Sequence, residues 1–201
     1  MSELSERTAP VPEQGDRLPG LPDDVFVNDG LLTKRHVRAT AFAFLRPRPG
    51  ELLWDVGAGS GAVGIEWCRS GEGNRALGIE RDPLRVERAR DNAARLGCGD
   101  ALTIVAGELP GALSGLETPD AVFVGGGATV ATVDTCWDAL GPGGRLVVHA
   151  VTLETEAVVA ERYRRLGGSL TRIGVEHVQT IGNFLAWTPA RAIVQWAVTK
   201  D

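Results

Sequence analysis

An aspartate followed by three glycines is the segment of this sequence whose residue types most clearly suggest chemistry. Asp55 ends an apolar stretch, and Gly57, Gly59 and Gly61 follow at alternate positions before a second apolar stretch begins. Glycine lets the backbone approach a ligand closely, and a helix that starts there offers free N–H groups and the positive end of its dipole. We therefore expect a nucleotide-like ligand to bind at residues 57–61.

Two carboxylates help to distinguish the ligands that such a loop could hold. Gly57, Gly59 and Ala62 also satisfy a loose dinucleotide pattern, which is weak evidence when it stands alone. The carboxylate of Asp55 would lie where a dinucleotide places its pyrophosphate, whereas a sulfonium or ammonium group would be attracted to it. Glu80 has the spacing of a residue that accepts hydrogen bonds from ribose hydroxyls, which fits NAD and S-adenosylmethionine alike. We expect S-adenosylmethionine.

Alternating strands and helices should position these residues. Five short apolar runs are predicted strands, at residues 51–56, 75–80, 101–106, 120–125 and 145–150. Helical patterns occur at residues 36–45, 82–97 and 153–166, and this alternation is typical of a parallel sheet. Two long strand-like runs follow, at residues 169–181 and 190–200. The predicted fold is therefore α/β and Rossmann-like, of the class I methyltransferase type, with a seven-stranded, mostly parallel sheet and a C-terminal antiparallel strand pair.

Composition limits the possible partners of the 201-residue chain. Residues 1–20 are rich in Pro, Ser, Glu and Gln and predict a flexible tail or linker, ahead of one domain at 21–201. The net charge of −5 disfavours nucleic acid. The sequence has neither an apolar run of membrane-spanning length nor a secretory signal, so we expect a cytoplasmic protein without a membrane partner. Its three cysteines and three histidines are scattered, which predicts no metal site.

Several segments together resemble one known family. They are GLPDDVFVNDGLLTKRHVRA at 20–39, LLWDVGAGSGAVGIEW at 52–67, FVGGG at 123–127 and GPGGRLVVHAVTLET at 141–155. They resemble the decarboxylating precorrin methyltransferases of cobalamin biosynthesis, both the C-terminal half of the precorrin-6Y enzyme and its stand-alone counterpart. The resemblance extends over about residues 20–199. The glycine loop is general to the superfamily, whereas DGLLTKR combined with FVGGG and AVTLE is much more specific.

The resemblance implies a function and an assembly. It implies S-adenosylmethionine as cofactor, a precorrin tetrapyrrole as substrate, methylation of carbon 15 and decarboxylation of the ring C acetate on carbon 12. It also implies a homotetramer, and either a fused or a separate second precorrin methyltransferase domain. Two alternatives stay open: a methyltransferase that acts on tRNA or protein, and a non-catalytic cofactor-binding subunit. The net negative charge disfavours tRNA, and the intact glycine loop disfavours an inactive pocket.

The candidate site residues follow from the motifs and the resemblance. The cofactor-binding candidates are Asp55, Gly57, Ala58, Gly59, Gly61, Glu80, Arg81, Gly107 and Glu108. The substrate-binding candidates are Thr33, Lys34, Arg35, Gly125, Gly126 and Gly127. Cations at a helix N-terminus oppose its dipole, so we expect at least one of Lys34, Arg35 and Arg38 to face the substrate carboxylates instead. Lys34 and His149 are the catalytic candidates, although the resemblance leads us to expect Asn at position 149.

Overall fold

The computed structural model describes residues 19–201. Helices and strands alternate through most of this range. The helices are α1 Arg35–Leu45, α2 Ala62–Ser70, α3 Pro83–Arg95, α4 Val130–Ala139 and α5 Leu153–Leu166. The strands are β1 Leu52–Val56, β2 Arg75–Glu80, β3 Leu102–Ala106, β4 Ala121–Val124, β5 Arg145–Ala150, β6 Ser169–Ile173, β7 Glu176–Ile181, β8 Phe184–Pro189 and β9 Ile193–Thr199.

The main sheet has seven strands in the order β3-β2-β1-β4-β5-β9-β6. Strands β1 to β5 pair in parallel, and β9 runs antiparallel to both of its neighbours. This architecture confirms the predicted α/β fold. The chain order reverses between β1 and β4, and such a reversal opens a crevice at the carboxyl ends of the strands, where ligands bind.

Local sequence explains why the elements begin where they do. All residues of β1, β4 and β5 are buried, as expected for strands with helices on both faces. The carboxylate of Asp82 accepts hydrogen bonds from the N–H groups of Leu84 and Arg85, and Pro83 is the first residue of α3. Thr152 caps α5 in the same manner. These caps fix the turns that follow β2 and β5.

The C-terminal region differs in part from the prediction. Strands β6 and β9 form the expected antiparallel pair. The predicted continuous strand at 169–181 is wrong, because the chain leaves the main sheet after Ile173. It then forms a separate hairpin, β7–β8, before it returns to the main sheet as β9. Gly182, with φ of 59°, and Asn183 form its two-residue turn. A glycine with positive φ at the first turn position suits the twist of a tight hairpin.

A buried arginine anchors the segment that precedes α1. The side chain of Arg38 is fully buried (0% exposed) and donates hydrogen bonds to Glu66 at 2.9 Å, to Asp23 at 2.7 Å and to the carbonyl oxygen of Leu21. Glu66 also accepts from the N–H group of Gly20 at 2.8 Å. Arg38 is therefore structural, and of the three predicted cations only Lys34 and Arg35 remain candidates to face the substrate.

The anchor includes the last residue of the predicted tail. Residues 1–18 lie outside the described residues. Gly20, which we placed in the tail, is held by Glu66. The boundary between tail and domain stays a prediction.

Three further features are the lengths of the helices, the arrangement of possible metal ligands and the state of the cysteines. No helix within residues 19–201 combines the length and apolar character needed to cross a membrane. In that range no group of His, Cys, Asp and Glu side chains is arranged to hold a metal ion. Cys98 and Cys136 are buried, Cys68 is half-buried, and all three thiols are free. The cytoplasmic location stays a prediction.

Candidate functional site

A cavity of about 510 Å³ opens at the carboxyl ends of the parallel strands, at the point where the chain order reverses. Most of the predicted site residues line it, namely Thr33, Asp55, Gly57, Ala58, Gly59, Glu80, Arg81, Gly107, Glu108, Gly125, Gly126, Gly127 and His149. Lys34, Arg35 and Gly61 do not. The fold thus brings the two predicted sets, for cofactor and for substrate, to one cavity.

The glycine loop has the backbone conformation that glycine favours. Gly57, Gly59 and Gly61 have φ values of 73°, 56° and 77°, a region that residues with a side chain rarely adopt. A Cβ atom at Gly57 would also lie only 2.8 Å from the backbone of Gly126. Gly61 is the N-cap of α2. Its role is therefore to start the helix whose N-terminus points toward the cavity.

Asp55 is a buried carboxylate at the floor of the cavity, with only 1% of its surface exposed. One of its oxygens accepts the N–H group of Gly64 at 2.9 Å, and a Cβ atom at Gly64 would lie 3.2 Å from that oxygen. Burial raises the pKa of Asp55 to about 7, and the neighbouring Glu80 acts in the same direction. Within residues 19–201 no cation pairs with Asp55. A cationic ligand would offset this unfavourable burial.

Glu80 orders the turn between β2 and α3. One of its oxygens accepts the N–H group of Gly59 at 3.0 Å, and the other accepts those of Arg81 and Asp82 at 2.9 and 3.0 Å. A carboxylate offers about four acceptor positions, so one remains for a ligand hydroxyl. Glu80 therefore links the glycine loop to the second strand and still faces the cavity.

The three glycines after β4 differ in whether the surrounding protein leaves room for a side chain. A Cβ atom at Gly125 would lie 2.8 Å from the Phe123 ring, and one at Gly127 would lie 2.8 Å from Leu109. Gly127 also has φ of 71°. A Cβ atom at Gly126 would have no atom within 4 Å, and its φ is not positive. The protein itself therefore restricts side chains at 125 and 127, whereas at 126 no protein atom excludes one and the open space belongs to the cavity.

His149 is buried at the end of β5. Its Nε2 lies 2.9 Å from the side-chain oxygen of Gln195, and its ring meets that of Phe123 edge-on, with centroids 4.8 Å apart. Burial lowers the pKa of His149 to about 4, although the contact with Gln195 opposes this shift. The ring is consequently neutral near pH 7.

The predicted cations occupy different places. Lys34 and Arg35 are exposed at the start of α1 and do not line the cavity. The arginines that line it are Arg81 and Arg85, and Arg85 pairs with Asp29 at 2.8 Å. Sequence reasoning missed Arg85 because it belongs to the first turn of α3, which we interpreted only as a cap.

Some lining residues were not anticipated. Leu31, Leu32, Thr129, Thr132 and Val151 also face the cavity. Thr129 is the N-cap of α4 and accepts the N–H group of Thr132. A threonine before a helical pattern is a visible cap signal, so this part of the lining could have been predicted, whereas the apolar residues gave no comparable signal.

Replacement of Asp55 by Asn should stabilise the ligand-free protein above neutral pH. The pKa of Asp55 is raised by folding, so its carboxylate binds a proton more readily in the folded state, and stability falls as pH rises from about 4 to about 7. The side chain of Asn cannot ionise, so the Asp55→Asn variant does not lose stability in this way as pH rises. We expect its stability advantage in urea unfolding to grow by about 2–3 kcal/mol between pH 5 and pH 8. Asp100→Asn, at an exposed position, serves as control. A stability difference between Asp55→Asn and the wild type that stays constant from pH 5 to pH 8 would show that the pKa of Asp55 is not raised by folding.

The comparisons with known proteins agree with this geometry. A family model described as a precorrin methyltransferase domain matches residues 24–200. A decarboxylating precorrin-6Y C(5,15)-methyltransferase of a Sinorhizobium species is 46% identical over 182 residues, 90% of this chain and 44% of the relative. The chain thus spans less than half the length of that relative. A probable decarboxylating cobalt-precorrin-6B C(15)-methyltransferase of Pyrobaculum aerophilum is 30% identical, over 87% of this chain and 93% of the relative.

A solved structure shows the same similarity in three dimensions. The C-terminal domain of precorrin-6Y C5,15-methyltransferase from Rhodobacter capsulatus superposes with a TM-score of 0.86 at 41% identity. The match covers 92% of this chain and 99% of that domain. The resemblance seen in the sequence is thereby confirmed, and the chain belongs to the precorrin methyltransferase family.

Proposed function

We propose that this chain is an S-adenosylmethionine-dependent precorrin methyltransferase of cobalamin biosynthesis, which methylates carbon 15 and decarboxylates the ring C acetate on carbon 12. The observation that supports this most is the buried carboxylate of Asp55 beside the glycine loop, which no cation of residues 19–201 neutralises, in a chain of this family. Such a site suits a cationic methyl donor better than a dinucleotide pyrophosphate.

The assignment of carbon 15 rests on the lengths of the relatives. The relative that this chain matches over only 44% of its length is named for carbons 5 and 15. The relative matched over 93% of its length is named for carbon 15 alone. We therefore assign methylation of carbon 5 to a second precorrin methyltransferase domain, fused to this one or separate from it.

The residues around the cavity fit the proposed cofactor. Asp55 would face its positive charge, Glu80 would accept its ribose hydroxyls, and Gly107 and Glu108 would lie beside its adenine. When bound, S-adenosylmethionine supplies an electrophilic methyl group. The protein mainly has to align that group with the acceptor carbon and keep water out.

The segment before α1 and the turns after β4 and β5 would hold the macrocycle. Gly126 leaves space for a flat ring system, and Leu31 and Val151 offer apolar surface at the cavity lining. Lys34 and Arg35 directly follow Thr33, which lines the cavity. Their exposed charges would reach carboxylates at the periphery of the macrocycle, and Lys34 stays a candidate for a catalytic role.

The direct test is incubation with methyl-labelled S-adenosylmethionine and a precorrin fraction. We expect a tetrapyrrole product that has gained one labelled methyl group and lost one carbon dioxide, both read by mass spectrometry. Parallel incubations with tRNA and with an unfractionated protein extract address the alternative substrates. Label in tRNA or in protein would show a methyltransferase that acts on that substrate. Cofactor binding without transfer of the methyl group would show a non-catalytic cofactor-binding subunit.

Gly126→Ala should impair use of the macrocycle and little else. The added methyl group meets no protein atom, so folding and cofactor affinity should match the wild type. Intrusion of one methyl group into a filled site costs about 1–3 kcal/mol, so kcat/KM for precorrin should fall by roughly 5- to 150-fold. Gly111→Ala is the matched control, because Gly111 also has open space but does not line the cavity. Equal activity of the two variants would place the macrocycle elsewhere.

We further propose that the β7–β8 hairpin assembles the protein into a homotetramer. Strand pairing places Val178, Leu185 and Trp187 on one face of the hairpin and Ile181 and Phe184 on the other. All five are exposed in the single chain, Phe184 by 78% and Trp187 by 68%. Apolar surface of this kind usually marks an interface. Two self-complementary faces give two kinds of two-fold contact, which together close a tetramer.

This location differs from the one that the sequence suggested. The sequence alone predicts the contact along residues 170–178 and 190–200, with Trp196 as its probe, because these long runs rich in β-branched residues lie at the end of the sheet. Strand β9 lies inside the main sheet, and Trp196 is fully buried and donates its indole N–H to Gly167. Trp196 is therefore a core residue. Trp187 takes its place as the probe of the interface.

An aspartate on either face of the hairpin should convert the tetramer into dimers. Trp187→Asp and Phe184→Asp place a charge in different interfaces, so we expect dimers from either variant and monomers from the double variant. Light scattering at micromolar concentration measures the state. Leu84→Asp, on α3 and also 68% exposed, is the control and should remain a tetramer. A monomeric wild type would refute the assembly, and tetramers from both variants would move the interface.

A further inference from the structure

A buried side-chain pair connects the end of β5 with β9. The antiparallel register places His149 opposite Gln195, and both side chains are buried. The distance from His149 Nε2 to the side-chain oxygen of Gln195 is 2.9 Å. Thr40 of α1 lies 3.3 Å from the same oxygen. Three elements that are distant in the sequence therefore meet behind the cavity wall.

The contacts indicate which ring nitrogen of His149 has the proton. The hydroxyl group of Thr40 can donate its one proton to the carbonyl oxygen of Val37 at 2.8 Å or to Gln195 at 3.3 Å, and the shorter distance favours Val37. The amide oxygen of Gln195 can only accept, so its donor is Nε2–H of His149. Since the ring is neutral, the other nitrogen, Nδ1, is then unprotonated.

A second contact fixes the orientation of the ring. Phe123 of β4 meets His149 edge-on at an interplanar angle of 89°. The Phe123 ring occupies the space that a side chain at position 125 would need. Within residues 19–201 no group forms a hydrogen bond with Nδ1, although His149 lines the cavity. The ring thus has one satisfied nitrogen and one acceptor nitrogen without a partner.

We propose that Gln195 is a positioning residue that holds His149 with Nε2 protonated, so that Nδ1 accepts a hydrogen bond from a ring N–H or a protonated carboxyl group of the substrate. The inference rests on the proposed function. In this state His149 has no proton to give on the cavity side. It orients the substrate by accepting a hydrogen bond, and the proton that replaces carbon dioxide comes from another source.

The protonation state can be measured without substrate. In ¹⁵N-histidine-labelled protein, nitrogen shifts distinguish the Nε2–H form, the Nδ1–H form and the imidazolium ion. The signals missing from His149→Asn identify residue 149. We expect the Nε2–H form at pH 7, its loss in Gln195→Met and its retention in the control Thr40→Val. An Nδ1–H form or an imidazolium ion in the wild type would overturn the proposal.

Activity then separates an acceptor from a proton donor. Asn places an oxygen about as far from the backbone as Nδ1 lies, but it has no titratable proton. We expect His149→Asn to keep kcat/KM within roughly fivefold and His149→Leu to lose roughly 10- to 100-fold, the range for one lost hydrogen bond at a buried site. A His149→Asn variant as inactive as His149→Leu would show that the proton of the ring is needed.

A charged neighbour gives a pH signature that a purely structural role would not produce. In Gln195→Glu a carboxylate beside Nε2 favours the imidazolium ion and raises the pKa of His149. Nδ1 is then protonated as pH falls, so kcat/KM of the variant should fall near pH 6 at least as far as that of His149→Leu and recover near pH 9, while His149 of the wild type stays neutral throughout. A pH profile parallel to the wild type would overturn the proposal.

Other titrating groups need a separate measurement. The side chains that contact the ring, from Phe123 on β4 and Gln195 on β9, are uncharged. Asp55 and Glu80 line the same cavity, so cofactor affinity is measured at each pH and the activity corrected for it. If the wild type does not convert precorrin, the proposed function fails, whereas the nitrogen shifts still test the positioning role of Gln195.

Discussion

The rest of the site depends on one close contact between two backbone turns. A Cβ atom at Gly57 would lie 2.8–2.9 Å from three backbone atoms of Gly126, so no side chain can separate the turns that follow β1 and β4. These strands are neighbours where the chain order of the sheet reverses. The reversal opens the crevice, and the absence of a side chain at Gly57 sets how closely the turn after β1 approaches the backbone at Gly126. A side chain at Gly57 would push these two turns apart and so change the shape of the cavity.

The two sides of this contact differ in chemistry. Asp55 and Glu80, on β1 and β2, contribute carboxylates, whereas Phe123 and His149, on β4 and β5, contribute neutral rings. A cationic methyl donor suits the first side. The second side suits an acceptor with N–H groups and a flat apolar surface. Donor and acceptor would meet beside bare backbone, which agrees with a reaction that needs alignment more than covalent help.

Sequence reasoning succeeded where the signal was local. The strand before Gly57, the cap at Asp82 and the acidic end of β2 each involve a few adjacent residues, and all are present. Sequence reasoning failed where a structural feature depends on residues that are far apart in the sequence. Burial of Arg38 depends on Asp23 and Glu66, and the pairing of His149 with Gln195 depends on the register of β5 and β9. The hairpin was a missed local signal, because Gly182-Asn183 between strand-like runs is a turn pattern.

The buried carboxylate links the cofactor to the stability of the fold. Asp55 is desolvated and, among the described residues, unpaired by any cation, so its ionised form destabilises the ligand-free protein. A sequence selected for stability alone would place a neutral residue there, since proteins tolerate buried charge mainly where function requires it. A ligand that neutralises this charge stabilises the folded state by the free energy of its own binding. The glycine loop lies beside Asp55 and is joined to the end of β2 by the N–H groups of Gly57, Ala58 and Gly59, so it should share in this stabilisation.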